Sequence, residues 1–549
     1  MRSRWLALLV LAGCPGGTSQ IIPCDPCNFD AEIDGGGLDW NAAIAEPSIA
    51  DDWKPDTSDS YDAQMCVAGE RIYVVWYQVD YRLDDKGNPI EDQTGKKSID
   101  GFIDVYFNRS LDAGVTWLAE PVRVKQGPGD ASGVSLACAG DRVYVAWEDN
   151  RDGATGYQNI YLNYTTDAGE TWQPDDMPLD NDSEGSAISL GPKVALYEGQ
   201  VHVVWYDQLE GAPDIYIASS INGGRKFQDP VRISGGQGDD AEQVGVSWNG
   251  NPQIAIDEKG RIYVVWESTK NGRQDLFLAS SITGGQTFSA QRRVDTGDER
   301  GANFSFAPRL SVGIRENDAS TDADDTSVAY VVWHDSRSGA HRDIYMNYSE
   351  TGGDTWYDAA VRVETDAVGF SESLDPDIVQ VGDTAHIVWR DARNGGYDIY
   401  YRKAVAGAFD DSDAGKEVRV DTDDEGFGNS VSPKIALANA DGSQLVTAWA
   451  DYRFDTSGEG YYNDLFYNHF PAEESDPPAW SDEDMPLKSL KQGTSFTEGL
   501  HINVIDNALV AVWIDGRNGN RDVFFSRVEI GLQVDSLDLI AQAAAASGR

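Results

Sequence analysis

The sequence predicts an all-β chain folded as an eight-bladed β-propeller of four-stranded antiparallel blades. Three observations carry this. A short apolar strand ending in tryptophan recurs eight times, at RIYVVW (71–76), RVYVAW (142–147), VHVVW (201–205), RIYVVW (261–266), AYVVW (329–333), AHIVW (385–389), LVTAW (445–449) and LVAVW (509–513). The copies lie about 60 residues apart, and a fixed period of that length marks a repeat architecture. Each copy is followed by a tight polar loop and a second strand: DVYF at 104, NIYL at 159, DIYI at 214, DLFL at 275, DIYM at 343, DIYY at 398, DLFY at 464 and DVFF at 522. The last copy lacks an outer strand, and the front of the chain supplies a match for one.

The unit is clearest at 330–356, YVVWHDSRSGAHRDIYMNYSETGGDTW. Tyr330 to Trp333 is apolar; Asp335, Arg337 and Gly339 make a polar turn; Asp343, Ile344 and Tyr345 open the next strand; Ser349 to Trp356 closes on a Gly-Gly turn. Strand, polar loop, strand and glycine turn make an antiparallel meander. One meander cannot bury its own face, so the copies should stack. A short outer strand follows as Val122-Arg123-Val124, Val231-Arg232-Ile233, Val361-Arg362-Val363 and Val418-Arg419-Val420. Another precedes each tryptophan strand, as in PKVAL at 192 and PQIAI at 252. Four strands per copy make a propeller blade.

Residues 35–50, GGGLDWNAAIAEPSIA, read like DAGVTWLAEPVRV at 112–124, down to a shared Ala-Glu-Pro. Ser48 to Ala50 should therefore be the outer strand of the eighth blade, which removes an open sheet edge. Seven blades is the alternative if the first copy, with its long hairpin of residues 77–103, is irregular.

Arg2, Arg4, the apolar run Trp5–Leu11 and then Leu11-Ala12-Gly13-Cys14 read as a leader too short to span a membrane. The ending resembles the bacterial lipobox, which implies cleavage before Cys14 and lipid on it; the alternative is an ordinary secretory leader. Pro15, in place of an Asp that would imply inner-membrane retention, points to the outer membrane. The expected organisation is a lipoprotein signal peptide at 1–13, a tether at 14–33, the propeller at 34–539 and a tail at 540–549. No other apolar run approaches membrane-spanning length.

The formal net charge of -49 argues against nucleic acid, because such a surface repels phosphate backbones. Expected partners are a carbohydrate or protein ligand, with membrane contact through the anchor alone and a monomeric state. Cys24 and Cys27 suit a small local disulfide in an oxidising exterior, since a lone CxxC is a weak metal signal. Cys66 and Cys138 occupy matching places in successive repeats, where equivalent side chains are expected to lie too far apart to bridge. Both should be small buried packing residues.

The glycine turns SLDAGVTW (110–117), TTDAGETW (165–172), SINGGRKF (220–227), SITGGQTF (281–288) and SETGGDTW (349–356) share one pattern. Its acid position can accept backbone N–H bonds, its glycine permits positive φ, and its aromatic packs into the blade. Only Asp112 and Asp167 keep the acid, replaced elsewhere by Asn222, Thr283 and Thr351. The pattern resembles the Asp box, S-x-D-x-G-x-T-W, of the sialidase superfamily and other BNR-repeat propellers, over roughly residues 34–535. In sialidases the boxes sit away from catalysis, which uses three arginines, a Tyr nucleophile with its Glu, and an Asp acid/base. The first arginine usually lies in an Arg-Ile-Pro motif, which this sequence lacks, so the resemblance implies a fold and transfers no catalytic residue.

Three constellations remain. The D-x-R pairs (Asp149/Arg151, Asp335/Arg337, Asp391/Arg393, Asp451/Arg453, Asp515/Arg517) could offer acid/base and anion-clamp chemistry, yet they recur in five blades. A scaffold role is expected, each Arg pairing with the Asp that opens the next strand (Asp343, Asp398, Asp464, Asp522). The acidic loops Asp180-Asn-Asp182-Ser-Glu184-Gly185 and Asp421-Thr-Asp423-Asp-Glu425-Gly426 resemble the start of a calcium loop without its distal Glu. They are read as solvated turns, with weak calcium binding as the alternative; no other cofactor is indicated.

The third constellation lies where the repeat stops repeating. Each innermost strand begins near one variable residue: Gln64, Ser135, Lys193, Gln253, Arg309, Asp377, Lys434 and His501. Cations at this channel mouth, in so acidic a chain, suit an anionic or polyhydroxyl ligand; the alternative is that these groups are paired between blades. The expected function is a surface-anchored, non-catalytic propeller binding a glycan or protein. The rivals are a divergent exo-alpha-sialidase-like glycoside hydrolase and a structural envelope protein.

Overall fold

The computed structural model describes residues 48–49 and 57–530, apart from 93, 153–156, 181–186, 210, 236–243, 317–325, 411, 413–416, 456, 458–459, 471–478, 488–492, 494 and 518–519. The expected leader, its Cys14, the tether with Cys24 and Cys27, and the tail lie outside the described residues.

The described residues form eight antiparallel sheets and no helix. Blades 1 to 7 span 58–123, 131–178, 189–232, 249–293, 305–362, 373–419 and 430–486. Blade 8 combines Thr497–Ile505, Ala508–Asp515 and Asp522–Glu529 with Ser48–Ile49 as its outer strand. Ser48 pairs with Phe525 and Ile49 with Phe524, so the front of the chain closes the ring as expected. Blade 1 is regular despite its hairpin, which continues through bridges Tyr81–Ile99, Leu83–Pro89 and Glu91–Lys97. Blade 6 gains a short extra strand, Ala408–Phe409.

Each second strand is buried on both faces, which its continuous apolar run demands. The apolar side chains make eight separate cores, each shared by neighbouring blades. One joins Ile72, Val74 and Trp76 of blade 1 to Val510, Val512 and Phe525 of blade 8. Another joins Leu445 and Trp449 of blade 7 to Val388 and Ile399 of blade 6. The glycine turns sit over these seams. A side chain at Gly114 would meet the Phe525 ring at 2.3 Å, and one at Gly169 would meet Phe107 at 2.3 Å. The serine or threonine opening each turn accepts the glycine N–H, as from Gly114 to Ser110 at 2.8 Å. Asp112 then accepts the Thr116 N–H at 2.8 Å, and Thr351 accepts that of Thr355 at 2.8 Å, so hydroxyl replaces carboxylate without loss of the bond.

All eight repeat tryptophans are fully buried. Their indole N–H needs an acceptor, and in six blades the carboxylate two residues on supplies it, as from Trp147 to Asp149 at 2.9 Å and from Trp333 to Asp335 at 2.8 Å, while in blade 1 the Gln78 amide oxygen accepts from Trp76 at 3.1 Å. In blade 4 that position is Ser268, and the Trp266 Nε1 has no partner. The D-x-R arginine donates back to the same carboxylate, Arg337 at 2.7 Å and Arg453 at 2.6 Å. Its guanidinium then lies over the aromatic ring of the third strand, Arg151 on Tyr161 and Arg517 on Phe524, both at 4.1 Å. The scaffold reading of these pairs holds, with a change of partner. In five blades the Asp that opens the third strand is held by an outer-strand arginine, as in Arg123–Asp104 at 2.9 Å, Arg232–Asp214 at 2.9 Å and Arg362–Asp343 at 2.7 Å; the outer strands of blades 7 and 8 carry no arginine for Asp464 and Asp522.

Cys66 and Cys138 form a disulfide, with Cα atoms 5.9 Å apart, against the expectation of unbridged packing residues. Equivalent positions on neighbouring blades are far apart at the rim and close near the axis, and both cysteines lie on innermost strands. The bridge ties blade 1 to blade 2 beside the closing seam. It closes a separation of 72 residues, and replacing both cysteines by serine is expected to cost about 4 kcal/mol in urea unfolding on the chain-entropy estimate. Asp335→Ala strands Arg337 and the Trp333 indole together, with an expected loss of about 3–5 kcal/mol by the same measurement.

Candidate functional site

Every innermost strand carries a β-bulge, and in each the register resumes at the variable residue singled out from the sequence: Gln64, Ser135, Lys193, Gln253, Arg309, Asp377, Lys434 and His501. The residue two before it has positive φ, as at Asp62 (51°), Asn251 (50°), Ala307 (48°), Asp375 (52°) and Ser432 (53°), with glycine at 133, 191 and 499. A bulge bends its strand and re-aims the next side chain. Eightfold repetition makes this strain a device of the fold, while the side chain it aims is free to vary.

Four of these side chains lie within electrostatic reach of one another. His501 feels the charges of Lys434, Lys193 and Arg309; Lys193 and Lys434 each feel Arg309. The four come from blades 3, 5, 7 and 8, so they reach one another only across the central axis. Among the described residues none of them has a hydrogen-bond or ion-pair partner. Burial, with Arg309 adding to it, lowers both lysines from their ordinary value against the opposing pull of Asp62 and Glu148 on Lys193 and of Asp377 and Asp375 on Lys434. Burial and the surrounding cations push His501 down to about 3, which keeps it neutral at pH 7.

The other predicted positions serve the blades. Gln64 donates to Asp62 at 2.7 Å. Ser135 accepts the Val194 N–H and Asp377 the Ile435 N–H, each at 3.1 Å and each in the next blade. Gln253 is half-buried.

A second tier at this mouth escaped the sequence reading. It is the residue after each repeat tryptophan: Tyr77, Glu148, Tyr206, Glu267, His334, Arg390, Ala450 and Ile514. Each pairs with the start of an innermost strand, on the face crossed by the acidic inter-blade loops. Its signal was available, since these positions vary beside an invariant neighbour. Glu148 accepts the Gly191 N–H at 2.8 Å and the Ser132 hydroxyl at 2.8 Å. Glu267 accepts the Ala307 N–H at 3.0 Å and the Asn251 amide at 2.9 Å. Burial raises both carboxyls. Burial and Asp62 push Tyr77 up to about 12. Burial, then Arg342 and Arg390, push His334 down to about 3, and its Nδ1 is buried without a partner. The mouth is thus polarised, with Asp62 and Glu148 towards blades 1 and 2 and Arg309, Arg342 and Arg390 towards blades 5 and 6. Exposed aromatic side chains stand on connectors of the same face: Phe370, Phe427 and Tyr461.

The calcium-loop residues divide. Asp180 is buried and accepts the Ile160 N–H at 2.7 Å, while Asp182 and Glu184 lie outside the described residues. Asp421 and Asp423 join Asp398 in a cluster whose carboxylate oxygens lie within 4.8 Å of one another. Arg419 stands among them, 3.0 Å from Asp421, 2.6 Å from Asp423 and 3.2 Å from Asp398. The cation that balances this cluster belongs to the chain. Glu425 is exposed and takes no part in it.

No protein-family model and no curated protein matches the sequence. Among solved structures, the chain is similar to an ulvan lyase described as a new family of polysaccharide lyase, at 10% identity and TM-score 0.40, over 72% of this chain and 91% of that one. It is similar to the alpha-L-arabinofuranosidase of Fusarium graminearum at 11% identity and TM-score 0.38, over 73% and 93%. A Hadza microbial sialidase matches at 12% identity and TM-score 0.34, over 63% and 66%. The architecture itself rests on the strand pairing given above.

His501 has its pKa depressed in the folded chain, to about 3 from 6.5, so the unfolded chain binds more protons between those values. Its contribution to stability is present above the ordinary histidine range and lost as pH falls towards 3. His501→Gln removes that contribution, so melting temperatures should fall less from pH 6.5 to pH 4 (about the histidine window) in the variant than in the wild type.

Proposed function

We propose that this protein binds an anionic glycan at its channel mouth without cleaving it. The observation that carries the reading is the convergence of Lys193, Arg309, Lys434 and His501, unpaired, in a chain of net charge -49. Nearly every other buried arginine described above is matched with a carboxylate at close range, whereas Asp62, Glu148, Asp375 and Asp377 act on Lys193 and Lys434 only without a close ion pair, so the desolvation of three cations on the axis is left for a bound anion to offset. The exposed aromatics on the same face offer flat surfaces to sugar rings. Lipid on Cys14 would hold the propeller at the outer membrane, as an Asp-box protein of the envelope; Cys14→Ser should then move it from the membrane to the soluble fraction.

Titrating the protein with an acidic and a neutral polysaccharide of similar length tests the ligand class. The acidic polymer should bind, more weakly as salt rises, and Lys193→Met with Lys434→Met should weaken it at least tenfold (about 1.4 kcal/mol). Equal binding of the neutral polymer, or no effect of the double substitution, would refute the anionic channel site and favour a protein ligand or a structural role.

A hydrolytic centre is the second reading, and Glu148 favours it. Its carboxyl is raised by burial, the direction a proton donor requires, and Tyr206 and Tyr77 both feel its charge. The backbone N–H it accepts from Gly191 argues for the structural role. Binding without cleavage expects no new reducing ends from acidic polysaccharides. Release that Glu148→Gln abolishes would establish the hydrolase instead.

A further inference from the structure

The outer strands of blades 1 to 7 keep a rule that one of them breaks. Their first residue is Val122, Met177, Val231, Val361, Val418 or Met485 in six blades, and Arg292 in blade 4. Five of those six apolar residues pack against an inter-blade core. Arg292 is exposed instead, on a strand paired to Leu278. It faces a cleft of about 400 Å³ between blades 4 and 5, whose other walls include Arg293, Asp298, Arg300, Trp356 and Tyr357. A cleft beside Met177, at the position of Arg292 in blade 2, is half that size at about 200 Å³ and has other walls, Gln173, Asp175 and Arg225 among them.

The charges in the larger cleft are unequal in what they have left to offer. Arg293 is buried and already matched by Asp275, Asp295 and Asp298, at 3.3, 2.9 and 2.5 Å. Arg292 uses only Nε, donating to the Asp354 carbonyl at 3.2 Å, and has no carboxylate partner among the described residues. Its remaining N–H groups are available to a planar oxyanion. Asp358 is the opposing charge on the rim of the cleft. Beside the arginine stand two aromatic rings. Trp356 is half-buried on the inter-blade core. Tyr357 is held by its hydroxyl on the Ala406 carbonyl at 3.0 Å and by edge contact with Tyr348. Fixed rings offer stacking at little entropic cost.

We propose that this cleft is a second saccharide site, which takes a sugar bearing a carboxylate or a sulfate ester. Arg292 would hold the anion, the aromatic wall would take the apolar face of the ring, and Asp358 would accept hydroxyl donors. The cleft size lies within the range of small-ligand sites (about 300–1,000 Å³). The proposal is independent of the channel reading, because the site lies on the rim and shares no residue with the axis.

The test is local to the cleft. The full-length protein, labelled at its tryptophan indole nitrogens, is titrated with trigalacturonic acid, with a 6-sulfated trisaccharide and with maltotriose. Trp356→Phe assigns the reporting resonance. One or both anionic probes should move the Trp356 indole signal, and maltotriose should not at the same concentration. Arg292→Val, which restores the residue type the repeat uses, should raise the apparent Kd at least tenfold with an unchanged melting temperature; Arg292→Lys should fall between. Whichever anionic probe acts identifies the group recognised. The proposal is overturned if neither moves the signal, if maltotriose moves it equally, or if both Arg292 variants bind like the wild type.

Discussion

A buried carboxylate two residues beyond the repeat tryptophan, present in six of the eight blades, organises this protein. Asp335 receives the Trp333 indole N–H, the Ser305 hydroxyl and the Arg337 guanidinium together, at 2.8, 2.8 and 2.7 Å. Three donors make the charge tolerable in a dry interior, where an unmatched carboxylate would be strongly disfavoured. In return the arginine is fixed over the next strand's aromatic ring and reaches the Thr296 carbonyl of the preceding blade at 2.8 Å. The same side chains therefore set the second strand, the turn after it and the spacing to the neighbouring blade. Blade 4 shows the arrangement by its lapse: with Ser268 in place of the acid, the Trp266 indole is orphaned and Lys270 takes the arginine's place over Phe277 at 3.9 Å.

Because each blade is locked by local means, the apolar cores can be eight separate seams, and the axis is left open. That opening is where repetition ceases to constrain the chain. The bulge is kept in all eight innermost strands, while the side chain after it ranges from serine to arginine. A constant backbone with a changing residue is how a rigid scaffold carries a specific surface. Two rings of variable residues follow from it, one at the bulge and one beside the tryptophans, and together they polarise the mouth from acid to base.

How much of this was legible in the sequence depended on whether the signal was periodic. The tryptophan strands, the glycine turns and the closing role of Ser48 and Ile49 could be read because each is a repeat or the gap left by one. The eight channel positions could be found because they break the period at a fixed place. What could not be read was distance. Cys66 and Cys138 looked too far apart because the taper of a ring towards its axis has no trace in residue spacing. The exchange of partners between the two arginine sets was hidden likewise, since both sets sit beside aspartates in the chain and only the third dimension decides between them. The residues after the tryptophans carried a usable signal, but adjacency to so regular a strand made them look like part of it.

The two-residue strand that completes blade 8 also fixes how the molecule responds to traction. It comes from the end of the chain opposite to its partner, so a pull on the N-terminal side arrives first at Ser48 and Ile49 and slides them along Phe525 and Phe524. The disulfide between Cys66 and Cys138 then lies directly behind it, where it would keep the first two blades together as a unit under tension.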